Sequence, residues 1–176
     1  KAVLESAKKL EKQGFKITYL NVDSQGIVKL NELKKALTKK TILVSIMYAN
    51  NEIGTIQPIA EIAKIIHNFR NSKHEARNSK QIQNSKLKNS KVSDFGFRIS
   101  DLKSALPIFH TDACQAAGAL PLKVDELGVD SLTLNGSKIY GPKGTGCLYV
   151  NKNYRVEPLI VGGNQEMGLR AGTENP

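Results

Sequence analysis

The stretch "TILVSIMYANNEIG", residues 41–54, decides how this chain is read. Thr41 to Ala49 is a near-continuous apolar run of strand length, the pattern expected of a strand buried on both faces of a parallel sheet. It stops abruptly at Asn50-Asn51-Glu52-Ile53-Gly54, which by composition is a turn, since Asn and Gly are the residues that turns accommodate most easily. On its N-terminal side, Ala2 to Gln13 has helical periodicity, "FKITYL" (15–20) reads as a strand, and "NELKKALTKK" (31–40) reads as a helix with Asn31 as its N-cap. On its C-terminal side come a helix from Pro58 to Asn68, a strand "PIFHTDA" (107–113), a short helix, a strand "SLTLNG" (131–136) and a strand "GCLYV" (146–150). Alternation of this kind predicts an α/β fold with a mostly parallel central sheet flanked by helices. In such folds ligands gather outside the carboxyl ends of the strands.

The chain has 176 residues, 40% of them hydrophobic, enough for one domain or for most of a larger one. It opens on Lys1 with a helix already in progress and stops at "GTENP" after a glycine-rich turn, so a fragment of a longer chain is expected, residues 1–176 forming a single partial domain. No apolar stretch of about 18 residues is present, nor a charged-then-apolar leader, so the expectation is a cytoplasmic protein with no membrane span. Cys114 and Cys147 fit neither a CxxC nor a Cys/His pattern; structural thiols are expected, with no metal site and no disulfide framework.

The formal charge is +10, which raises nucleic acid as a partner. Its location argues against that. Asn-Ser-Lys recurs at Asn71, Asn78, Asn84 and Asn89, and Arg70 to Lys103 holds nine Lys/Arg against Glu75, Asp94 and Asp101, supplying +6 of the total. With few apolar residues to offset the entropy of ordering, 70–103 reads as a basic low-complexity insertion, disordered or loosely helical. Arg70 to Lys91 has no aromatic side chain on which bases could stack, so nucleic-acid binding is not expected.

Three polar clusters follow three of the strands: Asn50-Asn51-Glu52, His110 to Gln115, and Asn135-Gly136-Ser137-Lys138. All should face one crevice. Lys138, at a strand end among glycines, is either an ion-paired turn lysine or an amine able to attack a carbonyl and form a Schiff base. Asp112 could pair with Lys138, or hold the ring nitrogen of pyridoxal phosphate protonated so that the ring acts as an electron sink. Gln115, three residues on, can share a face with Asp112 and donate to the cofactor's phenolic oxygen, which Asn51 could also reach. Ser137 and the run "RAGTEN" with Thr173 are candidates for phosphate contacts. "GPKGTG" (141–146) is not a P-loop, because its glycine spacing is wrong and no Ser/Thr follows Lys143, which reads as a solvated turn residue.

Together "TILVSIMYANNEIGTIQPI", "FHTDACQAAGALPLKVDELGVDSLTLNGSKIYGPKGTGCLYV" and "GGNQEMGLRAGTENP" resemble the cysteine desulfurases of the NifS/IscS kind, fold-type I pyridoxal phosphate enzymes of the class V aminotransferase superfamily. The resemblance runs from Lys1 to Pro176 outside the basic insertion and implies an incomplete large domain of a pyridoxal phosphate-dependent transferase. It implies conversion of L-cysteine to L-alanine, with sulfur passing as an enzyme persulfide to a sulfur-acceptor or iron–sulfur scaffold protein. Lys138 matches the lysine that carries the cofactor, Asp112 the partner of its pyridine nitrogen, and Gln115 and Asn51 the side chains near its phenolic oxygen. Thr173 matches a phosphate ligand donated across a homodimer interface. The family usually has His where Ser137 stands and Ser or Thr where Asn135 stands; both residues here can still donate to phosphate. Met167 stands where an arginine is common. The resemblance further implies that a ring-stacking histidine and a phosphate loop lie upstream of Lys1 and that the sulfur-accepting cysteine lies beyond Pro176, so neither Cys114 nor Cys147 replaces it and these 176 residues alone are expected to be inactive. The alternatives are another class V enzyme, a selenocysteine lyase or an aminotransferase, and a non-catalytic basic scaffold protein.

Overall fold

A computed structural model describes residues 2–84 and 106–173. Its centre is a four-stranded sheet in the order β1-β2-β3-β4, comprising Leu43–Met47, Ile108–Asp112, Ser131–Asn135 and Gly146–Val150. The first three strands are parallel and β4 is antiparallel to β3. The mostly parallel α/β expectation therefore holds, with one antiparallel edge. Among the described residues four helices accompany the sheet: α1 (Ala2–Lys12), α2 (Leu30–Ala36), α3 (Ile59–Asn84) and the single turn α4 (Val124–Leu127). Helix α3 links β1 to β2, and α4 links β2 to β3.

Packing follows from sequence spacing. Ile59, Ile62, Ala63 and Ile66 recur at helical intervals on α3 and are all buried, forming the stripe that lies against the sheet. From the sheet they meet Val44, Ile46, Phe109 and Leu132, and Leu127 of α4 joins the same core. Full burial of each large aliphatic side chain here contributes about 1.5–3 kcal/mol. Because strand side chains alternate, the other face carries Ser45, Met47, His110, Asp112, Thr133 and Asn135, all of them half-buried.

Three local expectations are corrected. β1 is not buried on both faces: Val44 and Ile46 are 8% and 7% exposed, but Leu43 is 49% exposed, because the described helices of the core lie on one side of the sheet. "FKITYL" is extended but not a strand; among the described residues it finds no strand partner, it leaves Phe15 and Tyr19 exposed, and an isolated bridge from Val22 to Val28 follows it. Asn31 does not cap α2. Leu33 and Leu37 fix the helix by burial, its N-cap falls on Lys29 without a side-chain bond, and Asn31 is already inside. The short helix expected between β2 and β3 is α4; the turns that precede it are closed by Ala116 N–H and Ala117 N–H to Ala113 O, with Gly118 at φ +79°.

Helix α3 extends well past Asn68, into the first part of the Asn-Ser-Lys region; of the stretch 70–103, residues 85–103 lie outside the described residues. Arg70, counted above with the basic tract, is an internal anchor instead. Its guanidinium donates to Pro107 O and pairs with the Asp130 carboxylate, both side chains being about one-tenth exposed. Asp130 also accepts from Phe109 N–H at 2.7 Å, so one carboxylate ties α3, β2 and the start of β3 together. Tyr154 joins this cluster, and burial pushes its phenol up to about 12. Among the described residues, no helix is long and apolar enough to cross a membrane.

Candidate active site

The three polar clusters do follow the carboxyl ends of β1, β2 and β3, adjacent strands of one sheet. Each is shaped by its own side chains. Asn50 Oδ1 accepts from Glu52 N–H at 2.8 Å and Ile53 N–H at 3.0 Å, closing the turn that carries Asn51. This turn is braced from outside. Gln57 donates to Gly26 O at 2.7 Å and accepts from Val28 N–H at 2.9 Å, and the Thr55 hydroxyl donates to Gln25 O at 2.8 Å. After β2, Asp112 Oδ1 accepts from Cys114 N–H at 3.0 Å. After β3, Asn135 Oδ1 accepts from both the backbone N–H and the hydroxyl of Ser137, at 2.9 and 2.8 Å, capping the 3-10 turn Gly136–Lys138.

An open cleft of about 630 Å³ lies between the second and third clusters, lined by Cys114, Thr133, Asn135, Ser137, Lys143 and Thr145 among others. Lys143 is thus exposed but part of the cleft wall. Gly136 is required here, since a Cβ on it would sit 2.1 Å from Thr145 Oγ1. Lys138 is exposed, and its amine makes no ion pair with any described residue. Asp112 is half-buried and likewise lacks a cationic partner among the described residues; it does not pair with Lys138. The charges of both nonetheless act on the Cys114 thiol, Asp112 the more strongly. Burial, and then the neighbouring Asp112 carboxylate, push that thiol up to about 11. It stays protonated at neutral pH, and a protonated thiol is a poor nucleophile.

The remaining candidates are spread out. Gln115 is half-buried on the turn after Asp112 but does not line the cleft, Asn51 is exposed on the braced turn after β1, and Thr173 is exposed and outside this chain's own cleft. The hydroxyl of Ser137 is directed at its own neighbour Asn135, which leaves its lone pairs and the Asn135 amide NH₂ for any further contact. His110 did not emerge from the sequence as a site residue, although it stands two positions before Asp112; its ring bonds to both flanking strands.

The family model described as aminotransferase class-V matches residues 1–92 and 92–175. The chain belongs to that family. It is 47% identical over 174 residues to a protein named cysteine desulfurase IscS from Dictyoglomus turgidum, aligning 99% of this chain with 35% of that one. Among solved structures it superposes on one titled NifS-like protein with a TM-score of 0.76 at 38% identity, covering 99% of this chain and 38% of the other. It also superposes on one titled SspA in complex with cysteine, with a TM-score of 0.73 at 34% identity, covering 98% and 40%. This class V chain spans about a third of the length of the curated relatives it matches. The two matched segments of the family model meet at residue 92, beside the Asn-Ser-Lys region.

Proposed function

We propose that this chain is the central part of the cofactor domain of a cysteine desulfurase, acting on L-cysteine with pyridoxal phosphate. The observation that carries the reading is the uncompensated Asp112 carboxylate beside the unpaired Lys138 amine at adjacent strand ends, in a chain whose relatives bear that name. The donor set fits the cofactor. A half-buried carboxylate with no cationic partner suits a protonated ring nitrogen, and an unpaired lysine amine suits a covalent anchor. Neither would be stable as an isolated charge if the site were closed over without a partner.

When bound, pyridoxal phosphate supplies an electron sink for the charge that develops at the substrate carbon. Asp112 would hold the proton on the ring nitrogen. Because only interactions stronger in the transition state accelerate the chemistry, this charge pairing outweighs the groups that merely orient. Lys138 Nζ would hold the cofactor and then carry protons to and from the substrate carbon, a task for which its exposure and lack of an ion-pair partner leave it mobile. Gln115 and Asn51 would orient the ring through its phenolic oxygen, and Asn135 Nδ2 and Ser137 would meet the phosphate. In balance, the substrate's C–S bond breaks, the sulfur forms an S–S bond to an acceptor thiol, and a proton takes its place on carbon to give L-alanine. Cys114, raised to about 11, is unsuited to that acceptor role, which supports an acceptor cysteine supplied from elsewhere.

Thr173 would act in a second copy of the chain. Leu159, Val161 and Met167, on the segment leading to it, are 100%, 77% and 90% exposed, an apolar surface of the kind that homodimers cover. The test is reconstitution of the full-length protein with pyridoxal phosphate. An absorption band near the visible edge is expected in the wild type and absent in Lys138→Ala. A band that survives Lys138→Ala unchanged refutes the assignment.

A further inference from the structure

His110 lies on β2, on the same sheet face as Asp112. Its Nδ1 is 2.8 Å from Ser45 Oγ on β1 and its Nε2 is 2.7 Å from Thr133 Oγ1 on β3, so one ring bridges three strands. Such a bridge matters because the β2–β3 ladder is short, pairing only His110, Thr111 and Asp112 with Ser131, Leu132 and Thr133. The ring also leans in a definite direction. Its register partner on β3 is Ser131, yet it bonds to Thr133, two residues nearer the carboxyl end and itself the register partner of Asp112. The imidazole therefore leans toward the strand end that carries Asp112.

We infer that His110 is a positioning residue for Asp112: as a neutral ring locked between Ser45 and Thr133, it fixes the strand end that carries the carboxylate and leaves its negative charge uncompensated. The inference rests on the proposed role of Asp112. A neutral imidazole has one N–H and one lone pair, and each hydroxyl can supply whichever complement is needed, so the three groups satisfy one another without a charge. Burial favours this neutral state by lowering the ring's pKa, and Asp112 opposes it. Among the described residues, Asp112 is the charged group facing the ring from its own strand. Cys114 follows behind Asp112, whereas β1 presents Leu43, Ser45 and Met47 and β3 presents Ser131 and Thr133, none of which titrates near neutrality. An imidazolium in this place would compete with a cationic ring nitrogen for the same carboxylate. With both nitrogens occupied, His110 is not a proton carrier to substrate.

Two measurements on the full-length protein test this. Long-range ¹H–¹⁵N spectra of the cofactor-free protein, with the His110 signal assigned by its loss in His110→Gln, are expected to show a neutral ring at pH 7 that protonates only below the ordinary histidine range; an imidazolium at pH 7 overturns the inference whatever the cofactor proves to be. The second is pyridoxal phosphate affinity read from the visible band against pH. His110→Gln, which keeps a donor and an acceptor but cannot titrate, should bind within about threefold of wild type at pH 7.5 and lose part of the weakening on acidification. His110→Phe should bind about tenfold more weakly, the scale of one or two lost hydrogen bonds. Identical pH profiles for wild type and His110→Gln overturn the inference even if His110→Phe fails to fold. A wild type that forms no band at any pH counts against the cofactor reading, while the spectra still decide the state of His110.

Discussion

Removing the carboxylate of Asp130 should be among the most damaging single changes in this fold. The residue is 6% exposed, the side chain of its partner Arg70 is about one-tenth exposed, and the carboxylate also accepts from Phe109 N–H at the start of β2. Asp130→Ala leaves a guanidinium without its anion and a buried N–H without its acceptor. Loss of one partner of a buried pair costs about 3–5 kcal/mol, and the orphaned N–H adds to that within the same network. The expected loss is then about 4–5 kcal/mol, a large share of the 5–15 kcal/mol typical of a domain. Arg70→Met should cost about 3 kcal/mol or more, since Asp130 keeps Phe109 N–H but loses its cation. The double variant Arg70→Met/Asp130→Leu should cost clearly less than the sum, because two apolar groups leave no buried charge behind. Arg70→Lys should recover little, as a single ammonium cannot reproduce a fork that reaches both Pro107 O and the carboxylate. Urea unfolding of the full-length protein and its variants, followed by circular dichroism, measures each corner of the cycle. A cost under about 1 kcal/mol for Asp130→Ala, or strict additivity in the double variant, refutes the buried network.

Two further outcomes follow from single positions. With its thiol at about 11, Cys114 should react slowly with iodoacetamide at pH 7.5 and progressively faster as pH approaches 11; in a Cys147→Ser background, rapid labelling of Cys114 at neutral pH contradicts the shielding described. Gly26→Ala places a Cβ 2.9 Å from Ile53 Cδ1 at φ +78°, and, since the Ile53 tip can yield, the backbone strain of about 1–2 kcal/mol dominates. Limited proteolysis should find the Asn50–Gln57 turn more readily cleaved in that variant, and an unchanged cleavage pattern argues against the bracing by the Gly26 turn.

The sequence by itself determined the elements whose pattern is local and repetitive. The aliphatic spacing of α3, the apolar run of β1 and the existence of β2, β3 and β4 needed no tertiary information, and neither did the placement of polar clusters after the strands. "FKITYL" failed as a strand because a strand exists only with a partner edge, which no local pattern announces. Burial of β1 on both faces failed for a related reason, since a hydrophobic run records what a residue can pack against and not which face is covered. Arg70 was hidden by its neighbours: within a lysine-rich tract one arginine looks like any other, and only the return of the chain at Pro107 and Asp130 makes it an anchor. The same holds at the site. Lys138 and Asp112 were legible as types at strand ends, but their lack of a mutual ion pair and the local use of Asn135 by Ser137 required coordinates. So did the ring of His110 between Ser45 and Thr133, because a hydrogen bond joining residues 65 and 23 positions apart is set by strand order and register.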